Sequence, residues 1–277
     1  MRRIFRYYKA EHGLKVLNDL EIRASIPTEL NDPFELSPNI DPTQFNRRRL
    51  EAILRQDFYI ERAYRREGRQ RGFGSKKRFK HWYLKDVARR AAEALPKIPE
   101  NVEAIRADFA LRFGRYWRLI CASLVYDSVL MWSHYAANHT GLVLAFDTAE
   151  MPFSQIQKDC WLTVKYTNEK PDYVYSIKER EFRRKMFAVA GTKAKSWSYE
   201  EEIRIVLPSS IREGRFLPLT PKGIAAVYCG CRIAGGDQAA VQVALKHPGL
   251  EHIELWEASL NKSEYALRFI QVGPPSR

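Results

Sequence analysis

The chain has 277 residues, a formal net charge of +13, 45% hydrophobic residues and 12% aromatic residues. This composition excludes a disordered chain, and the length allows one large domain or two small ones. No run approaches the ~20 apolar residues of a membrane-spanning helix, and no hydrophobic signal core follows the basic N-terminus. We therefore expect a cytoplasmic protein without a membrane partner.

The first 35 residues predict two strands, a helix and a rigid turn. Apolar patterning indicates strands over residues 4–8 and 22–26 and a helix over residues 11–20. The turn is Asn31-Asp32-Pro33-Phe34-Glu35, in which Asn and Asp before proline bond their own backbone. Two interpretations remain open. The turn is structural, with Phe34 plugged into the core, or it walls a ligand pocket, with Asp32 or Glu35 pointing in.

A strongly basic segment follows. Residues 43–117 predict two or three helices, broken near residues 72–74 and 96–99, and we treat residues 44–118 as a helical basic insertion within a single domain of residues 1–277. Between residues 46 and 90, 16 Lys and Arg side chains face five acids, which accounts for most of the chain's excess charge.

Aromatic side chains interleave with this charge, a combination that suits a nucleic-acid backbone and unpaired bases. A solvated helical face is the alternative. The segment predicts RNA or DNA binding through residues 47–90, with these contact residues: Arg65, Arg66, Arg69, Arg71, Lys76, Lys77, Arg78 and Lys80.

From residue 119 onward the sequence predicts short strands with few helices. No βαβ alternation and no glycine-rich phosphate loop is evident, so the pattern indicates an α+β fold. The predicted strands cover residues 119–124, 141–147, 161–166, 202–207, 214–218, 223–229, 252–258 and 264–271. The predicted helices cover residues 128–138, 173–190 and 237–246.

One of these helices is dense in large side chains, within Leu130-Met131-Trp132-Ser133-His134-Tyr135-Ala136. Trp132 and Tyr135 suit a core, and His134 suits a structural role. The same crowding gives the stacking surface and hydrogen-bond donors that a nucleotide or nicotinamide pocket needs. Both interpretations remain open.

The strand after Trp197 carries charge on one face. Glu200, Glu202 and Arg204 alternate with apolar residues, so two carboxylates and a guanidinium lie together. Arg204 can keep one carboxylate ionised, while like-charge repulsion raises the pKa of the other. The alternative is a solvated strand face with an ordinary ion pair.

Four blocks together resemble a bacterial family catalogued as domain of unknown function 2971. They are Phe5-Arg6-Tyr7, Asn31 to Glu35, Met131 to Ala136 with His139 and Gly141, and Trp197 to Arg204. The resemblance covers most of the chain apart from the basic insertion. The family name supplies no activity.

The order of these blocks also resembles the ADP-ribosyltransferase fold, which implies a split, strand-rich core and NAD as cosubstrate. Glu202 would then hold the nicotinamide ribose, Glu200 would orient or deprotonate the acceptor, and His134 would join them as a catalytic residue. The cofactor-binding residues would be Arg6, Tyr7, Asn31, Asp32, Phe34, Ser123, Trp132, Tyr135 and Arg204. No metal is implied.

The resemblance further implies ADP-ribose transfer to a nucleic acid or protein, as in bacterial toxins or phage-defence effectors, and an antitoxin or effector protein as a partner. Two other functions stay open. One is a non-catalytic nucleic-acid-binding module. The other is a nuclease that holds Mg²⁺ with Asp32, Glu35, Glu200 and Glu202.

Overall fold

In the computed structural model, residues 3–97, 101–173, 175–176, 178–211 and 215–273 are described. Their contacts form two compact units. The sheet unit comprises the described residues within 1–35, 112–168 and 191–277, and the helical unit those within 36–111 and 169–190. That the chain is one domain with an insertion at 44–118 stays a prediction.

The described strands are short. They are β1 (Arg3–Tyr8), β2 (Glu21–Arg23), β3 (Trp117–Ser123), β4 (Leu142–Asp147), β5 (Trp161–Thr163), β6 (Lys165–Thr167), β7 (Thr192–Ala194), β8 (Glu202–Pro208), β9 (Phe216–Pro218), β10 (Ile224–Cys229), β11 (Glu254–Leu260) and β12 (Leu267–Gly273).

The described α-helices are α1 (Ala10–Asp19), α2 (Pro42–Leu54), α3 (Asp57–Ala63), α4 (Lys76–Ala94), α5 (Val102–Tyr116), α6 (Val129–Tyr135), α7 (Glu179–Ala190) and α8 (Gly235–Ala244). Among the described helices, none is both long enough and apolar enough to cross a membrane.

Most strands of the sheet unit form one mixed sheet in the order β12-β11-β10-β4-β1-β3-β8-β5. Its two faces follow the period-2 alternation of the strands. Ile4, Ile120, Ile203 and Ile205 are buried on one face, and Phe5, Tyr7, Val143 and Tyr228 on the other. The α+β prediction is confirmed.

The sheet is nearly divided between β1 and β3. β1 pairs with β4 along all six residues, but its register with β3 consists of one pair, Phe5 with Ser123. β3 then pairs fully with β8, so that Ser123 lies opposite Glu202 and Cys121 opposite Arg204. Apart from the pair of Phe5 with Ser123, β1 and β3 are therefore separated, and a space lies between them.

The expectation of no βαβ alternation is wrong. β10 and β11 are parallel neighbours with α8 between them in sequence. A second parallel pair joins β6 and β7. β10 does have the continuous apolar run of a buried parallel strand, but β11 is mixed in composition, and β6 and β7 have three residues each.

Several predicted boundaries also change. α6 ends at Tyr135, because Ala137, Asn138 and His139 have positive φ angles and cannot continue a right-handed helix. The predicted strand over residues 161–166 is two strands, β5 and β6, which pair with different partners.

The helical unit has its own small core. Phe79, Tyr83 and Val87 lie on one face of α4 and pack against Ile60 and Ala63 of α3. Their spacing of three to four residues is that of an amphipathic helix, which is why the helices of this basic segment were predictable from sequence.

Candidate functional site

A pocket of about 240 Å³ opens in the sheet unit where β1 and β3 separate. Phe5 to Tyr7 line it from β1, and Cys121 to Ser123 line it from β3. The remaining wall comes from the turn at 29–35, from α6, and from the residues around β7 and the start of β8. Charged side chains therefore meet apolar ones in one concave site.

Five charged side chains form a buried cluster at this wall, which we call the charge cluster: Glu35, Lys193, Glu200, Glu202 and Arg204. The exposed fractions of their side chains run from 0% to 6%. The interpretation of a solvated strand face is therefore wrong. Two cations face three carboxylates, so each carboxylate contacts a cation, as buried charge requires, and one negative charge is left over when all three are ionised.

Lys193 lies at the centre of the charge cluster. Its Nζ is 2.6 Å from Glu200 Oε2, 2.8 Å from Glu35 Oε1 and 3.6 Å from Glu202 Oε2. The ammonium also lies 4.7 Å from the centre of the Trp197 ring. Burial alone would lower the pKa of Lys193, but the three carboxylates outweigh it and raise that pKa, so the side chain stays charged.

Arg204 holds Glu202 with two hydrogen bonds. Its Nε and Nη2 each donate at 2.8 Å, one to each carboxylate oxygen. Nη2 also lies 3.2 Å from Glu35 Oε1. Burial would raise the pKa of Glu202, but the charge and hydrogen bonds of Arg204 prevail and lower it. Glu202 is thus an ionised carboxylate in a fixed orientation.

Glu200 has the opposite pKa shift. Burial raises its pKa, against the opposing effects of Lys193 and of the hydrogen bond from Tyr135. The Tyr135 hydroxyl donates to Glu200 Oε1 at 2.6 Å and accepts from Asn31 Nδ2 at 2.8 Å. Repulsion by Glu202, the expected cause, also raises the pKa of Glu200, but less than burial does. Burial acts to raise the pKa of both acids, and the two are divided because Arg204 overrides burial at Glu202.

The local backbone places the two acids differently than expected. Glu202 begins β8, whereas Glu200 ends a 3₁₀ helix over Lys195–Glu200, and Glu201 between them has φ 42°. The left-handed residue turns the chain so that both acids face the pocket. Ser123 Oγ fixes this turn by donating to the Glu200 carbonyl at 2.7 Å.

Seven of the predicted site residues line the pocket: Arg6, Tyr7, Asn31, Ser123, Tyr135, Glu200 and Glu202. Arg204 is not in the pocket lining and acts through its bonds to Glu202. Arg6 donates to the Arg23 carbonyl at 2.7 Å, and Tyr7 donates to the Val125 carbonyl at 3.0 Å. The Arg6 guanidinium and the Tyr7 hydroxyl are thus each held by a hydrogen bond at the pocket rim.

Four predicted residues do not line the pocket. His134 is exposed, and its Nδ1 is 2.9 Å from the Tyr199 hydroxyl. Trp132 is fully buried in the core, with Nε1 donating to the Tyr126 carbonyl. Phe34 is 66% exposed, so the interpretation that plugs it into the core is wrong. Asp32 is buried, and its Oδ1 accepts from Phe34 N, as the turn chemistry predicts.

The sequence did not place three further pocket residues among the candidates for cofactor binding: Glu35, Lys193 and Cys121. Glu35 belongs to the predicted turn, and one interpretation had it pointing into a pocket. Its Oε1 lies within ion-pair distance of Lys193 and Arg204, and neither of its oxygens has a hydrogen-bond partner among the described residues. Burial raises the pKa of the Cys121 thiol, which disfavours a thiolate nucleophile there.

The predicted nucleic-acid residues lie in the helical unit, and many are internally paired. Arg65 and Lys76 pair with Glu61, Arg66 and Arg71 pair with Glu67, and Lys80 pairs with Asp57. Arg69, Lys77 and Arg78 have no ion pair through their side chains within the described part of the chain. Over the same part, no group of three or more His, Cys, Asp or Glu is arranged to hold a metal ion.

Comparison with known proteins gives one match. Residues 131–205 match the family described as Protein of unknown function (DUF2971). No curated protein and no solved structure matches the chain. The match runs from Met131 in α6 to Ile205 in β8, and so includes Tyr135, Lys193 and the acid pair. Over this central segment the chain is similar to DUF2971 proteins, which confirms the resemblance for the blocks at 131–141 and 197–204, while the blocks at 5–7 and 31–35 lie outside the match.

Proposed function

We propose that this protein is an NAD-dependent ADP-ribosyltransferase that modifies a nucleic acid or protein acceptor at the pocket between β1 and β3. The observation that carries the proposal is the acid pair on the pocket wall, with the pKa of Glu202 lowered and that of Glu200 raised. Two acids whose pKa values are pushed apart can serve separate roles in one reaction.

The pocket is chemically suited to part of NAD. Its volume of about 240 Å³ would accept the nicotinamide ribose half, with the rest of the dinucleotide outside. Glu35 Oε2, buried and without a hydrogen-bond partner among the described residues, leaves acceptor capacity in the wall. When bound, NAD would supply the ADP-ribosyl group as nicotinamide leaves.

The chain's own residues would divide the work. Ionised Glu202, oriented by Arg204, would accept a hydrogen bond from a ribose hydroxyl and stabilise developing positive charge. Glu200, with its raised pKa, would accept a proton from the acceptor hydroxyl or amine. Tyr135 would hold Glu200 in place, and Arg6 would contribute positive charge for a phosphate group.

The alternatives have less support. For a Mg²⁺ nuclease, Glu35, Glu200 and Glu202 would have to exchange their contacts with Lys193 and Arg204 for the metal. For a silent binding module, the burial of five charged groups beside a pocket would serve stability alone, although buried ion pairs contribute little to it. A toxin or defence role, a cytoplasmic location and an antitoxin or effector partner remain predictions.

Transfer of label from NAD tests the proposal. Wild-type protein is incubated with NAD labelled in the adenylate part and with RNA, DNA or lysate protein. We expect labelled acceptor with the wild type and a loss of at least a hundredfold with Glu202→Gln, because the amide keeps the shape but not the charge. Such losses are typical when an electrostatic catalytic group is removed.

The matched control is Glu201→Gln. Glu201 immediately precedes Glu202 in the chain, and it is exposed. The same substitution there should leave labelling unchanged. Labelling that survives Glu202→Gln, or no labelling of any acceptor class by the wild type, would overturn the proposal.

A further inference from the structure

The helical unit contains a groove of about 490 Å³ that is separate from the pocket of the sheet unit. One wall is a stripe along α2 with helical spacing, and the other is formed by residues 175, 176, 178 and 181. The lining includes Arg47, Arg48, Glu51, Arg55, Tyr175 and Lys178. We call this feature the α2 groove.

The charges of the α2 groove are unevenly paired. Glu51 is close to Arg47, with Oε1 3.4 Å from Arg47 Nε. Glu181, also in the lining, is bonded to Lys185 and Ser176, and these bonds lower its pKa to about 2. Arg48, Arg55 and the Lys178 ammonium have no ion pair or hydrogen bond through their side chains among the described residues.

The aromatic member of the groove is held in place. The Tyr175 ring packs edge-on against Phe45, a buried residue of α2, with centroids 5.4 Å apart. A partly exposed ring beside free guanidinium groups offers a stacking surface for a base next to partners for phosphates. These two features of the groove complement the unpaired bases and the phosphates of a single-stranded nucleic acid.

We propose that the α2 groove binds the phosphodiester backbone of a single-stranded nucleic acid, through Arg48, Arg55 and Lys178, with Tyr175 stacking on a base. This moves the nucleic-acid contact away from Arg65, Arg66, Arg71, Lys76 and Lys80, whose side chains already contact carboxylates within the helical unit. The proposal deepens the acceptor part of the proposed function, but binding here requires no NAD.

The test compares two double variants with the same change in net charge. Arg48→Gln/Arg55→Gln removes groove cations, and Arg65→Gln/Arg66→Gln removes paired ones. Binding of a fluorescent 20-residue oligouridine is measured by anisotropy without NAD, between about 50 and 200 mM salt. Thermal unfolding confirms that each variant is folded.

We expect the groove variant to lose affinity several-fold and to lower the salt slope by about 1.4, since each single-strand phosphate contact contributes roughly 0.7. The Arg65/Arg66 variant should keep the wild-type slope. Tyr175→Leu should weaken binding at every salt concentration without changing the slope, because stacking releases no counterions.

Equal losses in the two double variants would show a diffuse charge effect and overturn the proposal. No binding of the oligonucleotide by the wild type would also overturn it. If ATP displaces the fluorescent oligonucleotide as well as an unlabelled oligonucleotide does at the same nucleotide concentration, the groove is a site for free nucleotides. That result would contradict binding of a nucleic-acid strand. Because NAD is absent throughout, these outcomes are independent of the label-transfer result.

Discussion

The charge cluster of the sheet unit and the Arg65–Glu61 pair of the helical unit place the same types of charged residue in opposite environments. In the sheet unit, Lys193, Glu202 and Arg204 have side chains exposed by 3%, 6% and 0%. In the helical unit, the Arg65 side chain is 78% exposed in its pair with Glu61. Water screens the second kind of pair and leaves it weak, whereas the first kind is costly to break.

The difference between the two groups lies in how strongly the neighbours of a charged side chain determine its state. A buried carboxylate keeps its ionised form only because specific cations surround it, so its neighbours fix both its orientation and its pKa. A surface carboxylate is solvated by water whether or not it contacts a cation, so its neighbours determine its orientation and its pKa less strongly. Substitutions that remove the same group from each unit therefore separate the two environments directly.

The largest effect is expected for Arg204→Met. The substitution leaves Glu202 and Glu35 buried beside fewer cations, which should lower the free energy of unfolding by about 3–5 kcal/mol. Urea unfolding followed by tryptophan fluorescence measures it. A loss under 1 kcal/mol would mean that the charge cluster is hydrated in solution, and would contradict its burial.

A smaller effect is expected for Tyr135→Phe. Removing the hydroxyl leaves Glu200 Oε1 without its donor at 2.6 Å, which should cost about 1–3 kcal/mol in unfolding free energy. The same urea experiment measures it. The matched control is Tyr265→Phe, because Tyr265 is fully exposed and should lose nothing.

The pH dependence of stability separates the two acids. The folded-state pKa of Glu202 is lowered, so its ionised form stabilises the fold above its unfolded pKa of about 4.3, and this contribution is lost as pH falls through the folded pKa. The stability advantage of the wild type over Glu202→Gln should therefore shrink as the pH falls below about 4.3.

The pH dependence that Glu200 contributes to stability has the opposite sign. Its folded-state pKa is raised, so its ionisation disfavours the fold, and this cost grows as pH rises through the unfolded pKa toward neutrality. The stability of Glu200→Gln relative to the wild type should increase over that range. Thermal unfolding in matched buffers measures both variants, and parallel curves for the two would contradict the division of the acid pair.

The smallest effect is expected for Arg65→Met. It removes a guanidinium from an exposed pair, as Arg204→Met removes one from a buried pair. The urea midpoint should stay within the error of the measurement, and a small change should disappear in 0.5 M salt. A loss similar to that of Arg204→Met would remove the distinction between the two units.

Much of the fold was predictable because periodicity records burial. Ile203 and Ile205 alternate along β8, and the apolar spacing of α4 marks a helix with one buried face. The αL residues after α6 and the parallel pairing of β10 with β11 were not predictable, since they depend on long-range contacts that leave no local pattern.

The site was predictable in part for a related reason. Glu200, Glu202 and Tyr135 stand in blocks whose residue types are unusual together, so they could be selected. Lys193 lies in a three-residue strand, and nothing local distinguishes it from the many exposed lysines of the chain. Its role follows only from three carboxylates that come from two other segments.

The most direct test of the central claim is nicotinamide release. Purified wild type, Glu202→Gln and Glu201→Gln are mixed with NAD, with and without RNA or DNA, and free nicotinamide is measured by chromatography over time. We predict release by the wild type and Glu201→Gln, faster with the correct acceptor, and none above background by Glu202→Gln. Equal release by Glu202→Gln, or none by the wild type with any acceptor, would contradict the assignment of this pocket.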